Sequence, residues 1–179
     1  TLADMIYLKS GMLGQAYETY DENKPMAISL VIPGRMVNYA AYMGIDNSHE
    51  VVITLKNSEV LYLDPEAFEK LTHDIKEDVL HYCMGCIASD YDAFTCMFTG
   101  DTEKRGAFLY KSPADTCGTP AGDGWVRVPV KLSYTVIASV MYTTKKTIER
   151  LIPTWQDAGL FRPEKDATLI NTALFKQLL

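Results

Sequence analysis

Cationic and hydroxyl side chains are concentrated in one seven-residue stretch in the C-terminal third of the chain. It contains three cations, Lys145, Lys146 and Arg150, and two hydroxyl residues, Thr144 and Thr147. These residue types donate hydrogen bonds to phosphates and contact the edges of bases. The stretch is therefore a candidate nucleic-acid contact, set against the alternative that it is an ordinary solvated helix face.

Four cysteines supply a second kind of chemistry. Cys83 and Cys86 form a Cys-x-x-Cys pair, and Cys96 follows ten residues later. Such a pair can serve in redox or metal sensing. Both residues also fall on the apolar side of a predicted helix, where a free cysteine acts as a small hydrophobe. A thiol- or metal-based redox sensor using Cys83 and Cys86 is therefore kept as an alternative.

Other motifs of catalysis or cofactor binding are missing from the sequence. The three histidines do not have metal-ligand spacing, and there is no nucleophile elbow, P-loop or G-x-G-x-x-G motif. We predict no enzyme, no catalytic residues, no metal site and no cofactor. The apolar runs are far shorter than the ~20 residues of a membrane span. With no secretory leader or disulfide framework, we predict a cytoplasmic protein without a membrane partner.

Charge is divided unevenly along the 179 residues, whose net charge is −6. Residues 1–100 carry 6 Lys or Arg and 15 Asp or Glu, a net −9. Residues 101–179 carry 11 and 8, a net +3. This asymmetry predicts an acidic module joined to a module with a different partner.

Two short helices joined by a tight turn position the cationic stretch. Ser133 caps the first helix, a turn follows around residues 141–143, and Thr144 caps the second helix. This pattern predicts a helix-turn-helix, whose second helix fits the major groove. Pro153 is expected to bend or shorten that helix, and Trp155 to lie in the core behind it. The residues expected to face inwards are Val136, Ile137, Ala138, Val140, Ile148, Leu151 and Ile152.

The preceding segments have β character and then helical character. Short apolar stretches alternate with turn residues as far as Leu63, which predicts a small antiparallel barrel or roll. Asp64-Pro65 begins a helix, and a longer apolar pattern from Ile75 to Phe98 predicts a long helix that Gly100 ends. The predicted strands are Met5–Leu8, Met26–Ile32, Val51–Leu55 and Val60–Leu63, and the predicted turns include Ser10-Gly11, Asp21–Pro25, Asp46–Ser48 and Lys56–Ser58.

Further along, a short helix is predicted over Thr102–Lys111. A loop is predicted over Ser112–Gly124 and a strand over Trp125–Val130. Arg105 is expected to be a structural ion-pair partner.

The C-terminal segment resembles the DNA-binding end of the Crp/Fnr regulators, a bacterial family. Their helix-turn-helix ends in a pattern like Arg-Glu-Thr-Val-Ser-Arg and continues towards Glu-Gly-Leu-Ile. Upstream, Ile6–Gly11, Val31–Gly34 and Val60–Phe68 resemble a roll strand, the "pG" turn and the entry to the hinge. The matching C-terminal residues are Lys145-Lys146-Thr147-Ile148-Glu149-Arg150 and Asp157-Ala158-Gly159-Leu160-Phe161.

The resemblance implies an α+β fold with three parts. These are a jelly-roll-like antiparallel β-roll over residues 1–64, a hinge and dimerisation helix over 65–100, and a C-terminal winged helix-turn-helix over 101–179. The chain starts with Thr and the family has further strands before this point, so we expect an N-terminally incomplete roll.

The implied function is a homodimeric transcriptional regulator that binds a palindromic operator in double-stranded DNA. RNA polymerase is a candidate further partner. The residues implied in DNA binding are Thr144, Lys145, Lys146, Thr147 and Arg150. An unidentified small-molecule effector is expected near the roll and the long helix. Its candidate contacts are Tyr39, Tyr42, His49, Glu50, Tyr82 and Cys86.

Two departures from the family pattern alter these expectations. Asn38-Tyr39 stands where a Gly-Glu pair is expected, and His49-Glu50 where Arg-Ser or Arg-Thr is expected. Losing that arginine removes a bidentate phosphate partner, so we expect the effector not to be cAMP. Lys146 replaces the usual Glu, so the operator should differ. A ligand-binding module with a vestigial DNA domain is a further alternative.

Overall fold

The computed structural model describes residues 4–17, 26–39 and 50–179, which fall into two compact units that meet in sequence between Phe94 and Thr95. The turns expected at Asp21–Pro25 and Asp46–Ser48 lie outside the described residues, as do the candidate contacts Tyr42 and His49.

The first unit is built on an antiparallel sheet with β1 at its centre. This strand pairs with each of the other three described strands of the unit. A buried apolar cluster that includes Leu8, Leu13 and Val31 forms its core. The strands are β1 (Met5–Tyr17), β2 (Met26–Val31), β3 (Met36–Val37) and β4 (Glu50–Leu63).

Two of the turns expected from the sequence are β-bulges within long strands. Ser10-Gly11 lies inside β1 and Lys56–Ser58 inside β4, and the register between the two strands shifts at this point. Gly11 has φ +95°, and a Cβ there would lie 2.3 Å from the Asn57 carbonyl oxygen. Turn-forming residues therefore provide the extra, unpaired residue of a bulge here, and both strands continue past it.

The transition to helical structure occurs where the sequence predicts it. Helix α1 (Pro65–Glu69) begins after Asp64, whose carboxylate accepts a 2.7 Å hydrogen bond from the Ala67 N–H. Helix α2 (His73–Thr99) then continues for 27 residues. The N–H of Gly100 donates to the Cys96 carbonyl, 2.8 Å away, and the helix ends there. Among the described residues, no helix is long and apolar enough to cross a bilayer.

Helix α3 (Thr102–Cys117) is longer than the sequence predicts. It begins at the Asp101 cap but passes through Pro113 to Cys117, so the predicted loop over Ser112–Gly124 is wrong in its first half. Tyr110, Pro113 and Ala114 are buried. The apolar face thus continues beyond Lys111, and packing along it compensates for the hydrogen bond that proline cannot donate.

The rest of the second unit is a four-stranded antiparallel sheet with three helices. Its strand order is β5-β6-β8-β7. Trp155 is buried against Phe161 and Phe175, as the sequence predicts for a core position. The elements are β5 (Thr119–Pro120), β6 (Trp125–Val128), α4 (Tyr134–Val140), α5 (Lys145–Asp157), β7 (Phe161–Pro163), β8 (Thr168–Asn171) and α6 (Thr172–Phe175).

Candidate functional site

The helix-turn-helix has the boundaries and caps that the sequence predicts. The Ser133 hydroxyl accepts from the Val136 N–H at 3.2 Å and begins α4. The Thr144 hydroxyl accepts from the Thr147 N–H at 3.1 Å and begins α5. Between the helices, Tyr142 adopts φ +49°, the left-handed conformation that turns the chain. Short capped helices with a constrained turn give α5 a defined direction.

The exposed side of α5 carries the predicted cations. Lys146 and Arg150 are exposed and lie one helical turn apart. Lys145 forms an exposed ion pair with Glu149, with 3.5 Å between Nζ and Oε1. Within the described parts of the chain, neither Lys146 nor Arg150 has an acidic partner. Their charges are thus available to an anionic ligand.

The two threonines of this stretch have a structural role in the helix start. Their hydroxyl oxygens lie 2.9 Å apart, and Thr144 also caps the backbone. Thr147 is half-buried at this position. The first turn of α5 therefore presents backbone N–H groups and cations more openly than it presents free hydroxyls.

The sequence predicts that Pro153 bends or shortens the second helix, and the shortening is wrong. Helix α5 continues for a further turn to Asp157. Pro153 faces solvent, whereas its neighbours Ile152 and Trp155 are buried in the core. Burial of these two large side chains stabilises the last turn, and it outweighs the loss of one exposed backbone hydrogen bond.

Arg105 has a structural role, as the sequence predicts, but its partners are not the expected acidic side chains. Its guanidinium donates to backbone carbonyls: Nε to Gly100 at 2.8 Å, and Nη1 to Met141 at 3.1 Å and Tyr142 at 3.5 Å. The expected ion pair is therefore replaced by a fork of hydrogen bonds. Because Met141 and Tyr142 form the turn before α5, Arg105 helps to position α5.

A two-stranded wing follows α5. Strands β7 and β8 are joined by a tight turn in which the Glu164 N–H donates to the Ala167 carbonyl at 2.9 Å. Arg127 holds this turn through a 2.8 Å ion pair with Glu164. Arg162 lies over the Trp125 ring, 4.2 Å from its centroid. Side chains of the adjacent strand β6 thus hold the wing.

The first unit contains a polar cluster around Asp90 of α2. Arg35 forms an ion pair with one carboxylate oxygen of Asp90 and donates to the Cys86 carbonyl at 2.8 Å. The Tyr39 hydroxyl donates to the other oxygen of Asp90 at 2.6 Å. Burial, followed by the bond to Asp90, raises the pKa of Tyr39, so the phenol stays protonated and able to donate.

Glu50 is a buried carboxyl beside this cluster. It accepts a 2.8 Å hydrogen bond from the Gln15 amide, which in turn accepts from Ser29. Burial raises the pKa of Glu50, and the nearby Asp90 charge raises it further, while bonds from Gln15 and the Asn38 backbone act in the opposite direction. The carboxyl therefore holds its proton more strongly than an exposed glutamate does.

The remaining candidate contacts, Tyr82 and Cys86, lie on α2, and Cys83 of the redox alternative lies beside them. Cys83 and Cys86 are buried on one side of the helix, as the sequence predicts for small hydrophobes. Burial raises the pKa of the Cys83 thiol to about 11, which lowers the fraction of reactive thiolate. Tyr82 donates its hydroxyl to the Gly34 carbonyl. In the described part of the chain, no group of three or more His, Cys, Asp or Glu could hold a metal ion.

Sequence reasoning missed two residues of this cluster, Arg35 and Asp90. Arg35 directly follows the Pro33-Gly34 turn, and a cation beside such a turn is a usable signal. Asp90 has no comparable signal, because it is one of several acidic residues on a long polar helix. Tyr39, Glu50 and Cys86 come close to this pair in the fold.

Comparison with known proteins shows which solved structures share this architecture. No protein-family model and no curated protein sequence matches the chain. Solved structures do match it, although sequence identity is low. A CRP-family transcriptional regulator from Thermus thermophilus (TTHB099) has a TM-score of 0.78 at 16% identity, covering 98% of this chain and 87% of that chain.

Two further regulators give similar values. A CRP/FNR-family regulator of the same organism (TTHA1359) has a TM-score of 0.75 at 15% identity, with 98% and 87% of the two chains covered. FixK2 from Bradyrhizobium japonicum has a TM-score of 0.75 at 12% identity, with 98% and 87% covered. The chain therefore has the α+β fold of the Crp/Fnr transcriptional regulators.

Proposed function

We propose that this protein is a homodimeric, sequence-specific DNA-binding regulator of transcription. The observation that carries the proposal is the pair of exposed cations, Lys146 and Arg150, on the second helix of a capped helix-turn-helix. The fold shared with Crp/Fnr regulators supports it. In this arrangement α5 enters the major groove of double-stranded DNA, where Lys146 and Arg150 contact guanine edges or phosphates.

Dimerisation is proposed to occur along α2. Six large apolar residues repeat at alternating intervals of four and three residues, which is the heptad pattern of a two-stranded coiled coil. The a positions Met84, Tyr91 and Phe98 are 63%, 73% and 66% exposed. A second copy of the same helix presents the same spacing and can cover this stripe. The six residues are Leu80, Met84, Ile87, Tyr91, Phe94 and Phe98.

The effector is proposed to act in the first unit, at the cluster between the sheet and α2. The described candidates there are Tyr39, Glu50, Tyr82 and Cys86. Arg35 is already engaged by Asp90. His49-Glu50 stands in place of the arginine pair of the family's cassette, and Arg35 would bind a cyclic nucleotide phosphate only in exchange for Asp90, so the effector is proposed not to be cAMP.

The DNA-binding proposal is tested with duplexes selected from a random library by the purified full chain. We expect selection to yield a palindromic sequence. Lys146→Ala and Arg150→Ala should each weaken its binding at least tenfold, and each lost phosphate contact should reduce the salt slope of log K by about 1.

Lys176→Ala is the matched control, since Lys176 is an exposed cation of the same unit outside α4 and α5. The proposal is overturned if no sequence is enriched, or if the two α5 variants bind the selected duplex as tightly as the control.

A further inference from the structure

The Asp90 carboxylate is held by two donors from the sheet side of the first unit. Arg35, which directly precedes β3, engages Oδ1, and the Tyr39 hydroxyl, which follows β3, donates to Oδ2. The side chains of Arg35 and Asp90 are only 18% and 24% exposed. A guanidinium and a phenol that converge on both oxygens of one carboxylate form a receptor for an anion.

Among the described residues, Arg35 is the cation of this receptor. The second guanidinium contact is the Cys86 carbonyl, which carries no charge. The adjacent carboxyl, Glu50, is buried and already accepts a hydrogen bond from Gln15, and burial raises its pKa. The receptor can therefore accept one anionic group, and Asp90 supplies that group from within the chain.

We propose that Arg35 and Tyr39 form an anion-binding pair whose resident anion is Asp90, and that the effector is a carboxylate or phosphate that replaces it. This inference rests on the proposed function only where it calls the bound anion an effector. The exchange of Asp90 for another anion does not depend on it. Replacement would remove one attachment of α2 to the sheet, while the bond from Tyr82 to the Gly34 carbonyl, made by a different side chain, remains.

The intact chain resists weak anions because Asp90 is tethered to its site. A tethered group competes at an effective concentration in the millimolar range or above. Simple anions should therefore bind poorly to the wild-type protein. Asp90→Ala removes the competing carboxylate and leaves Arg35 and Tyr39 beside a small cavity, which acetate or inorganic phosphate can enter.

The experiment measures thermal unfolding of Asp90→Ala in sodium acetate, sodium phosphate and sodium chloride at equal ionic strength. We expect acetate, phosphate or both to raise the unfolding midpoint above that in chloride. At ten times the Kd the unfolding constant should fall roughly tenfold. A response to acetate alone identifies a carboxylate effector class, and a stronger response to phosphate identifies a phosphate class.

Two further variants serve as controls. Asp92→Ala makes the same change at an exposed site on the same helix and should show no preference for acetate or phosphate. Arg35→Gln combined with Asp90→Ala should lose the response. Equal responses in all three variants, or no response in Asp90→Ala, would overturn the proposal.

A milder variant covers the case in which Asp90→Ala does not fold. Asp90→Asn and Arg35→Gln, singly and together, form a double-mutant cycle in urea. A coupling of tenfold or more in the unfolding constant supports the pair, and additive effects overturn it. None of these measurements involves DNA, so their failure is distinguishable from failure of the DNA-binding proposal.

Discussion

The ring of Phe98, in the last turn of α2, stacks on the ring of Tyr142 with centroids 5.3 Å apart. Tyr142 is the residue that turns the chain between α4 and α5. Arg105 donates to the carbonyl of the same residue and to that of Met141. The turn that directs α5 is thus held by an aromatic ring at the end of α2 and a guanidinium at the start of α3.

Removing the Arg105 guanidinium should loosen this turn. Arg105→Met keeps much of the side-chain volume but leaves three backbone carbonyls without their charged donor. We expect the free energy of unfolding, measured in urea, to fall by about 2–3 kcal/mol. Lys104→Met, at the exposed neighbouring position, should change it by less than about 0.5 kcal/mol. Equal effects of the two variants would contradict the role given to Arg105.

A charge in the apolar stripe of α2 should prevent self-association. Tyr91→Lys places a cation at a central a position, where it would be buried against the same residue of a second copy. We expect sedimentation equilibrium to give about twice 20.0 kDa for the wild-type chain and the monomer mass for the variant.

The control for this prediction adds the same charge beside the stripe. Gly85 lies one residue from Met84, and a Cβ there meets no atom within 4 Å. Gly85→Lys should therefore remain dimeric. A monomeric wild-type chain, or a dimeric Tyr91→Lys variant, would refute the proposed dimerisation along the apolar stripe of α2.

Protonation of Glu50 should make stability depend on pH. Burial raises its pKa above 4.5, so the folded chain binds this proton more tightly than the unfolded chain does. The free energy of unfolding should therefore fall as pH rises from 4.5 through the raised pKa. Glu50→Gln removes this contribution. In urea unfolding, the free energy of unfolding of the variant should therefore increase relative to that of wild type as pH rises. Glu77→Gln, at an exposed site of α2, should keep the wild-type slope.

Two glycines should respond to alanine with opposite signs. A Cβ at Gly106 would lie 2.0 Å from the Trp155 ring, so Gly106→Ala should lower the free energy of unfolding by about 1–3 kcal/mol. Gly85→Ala meets no neighbour and gains helix propensity, so it should raise this free energy by up to about 1 kcal/mol. Chemical denaturation of both variants checks the pair, and a tolerated Gly106→Ala would contradict the close packing of α3 on α5.

Local signals in the sequence predicted the helix starts accurately. Asp64, Ser133 and Thr144 each cap the helix that follows, because the bond that defines a cap joins residues three positions apart. Turn signals were less reliable. Ser10-Gly11 and Lys56–Ser58 have turn composition, yet they form a bulge, since pairing between distant strands continues on both sides.

Residue type and spacing were sufficient, by themselves, for the two-helix motif, the exposed cations of α5 and the long helix with its apolar stripe, because these depend on neighbours within a few turns. The partners of buried polar groups were decided only by the tertiary structure. Arg35 and Asp90 are 55 positions apart, and Arg105 and Met141 are 36 apart. Which donor meets which acceptor over such separations depends on how the elements pack. Helix periodicity and capping contain no information about that packing.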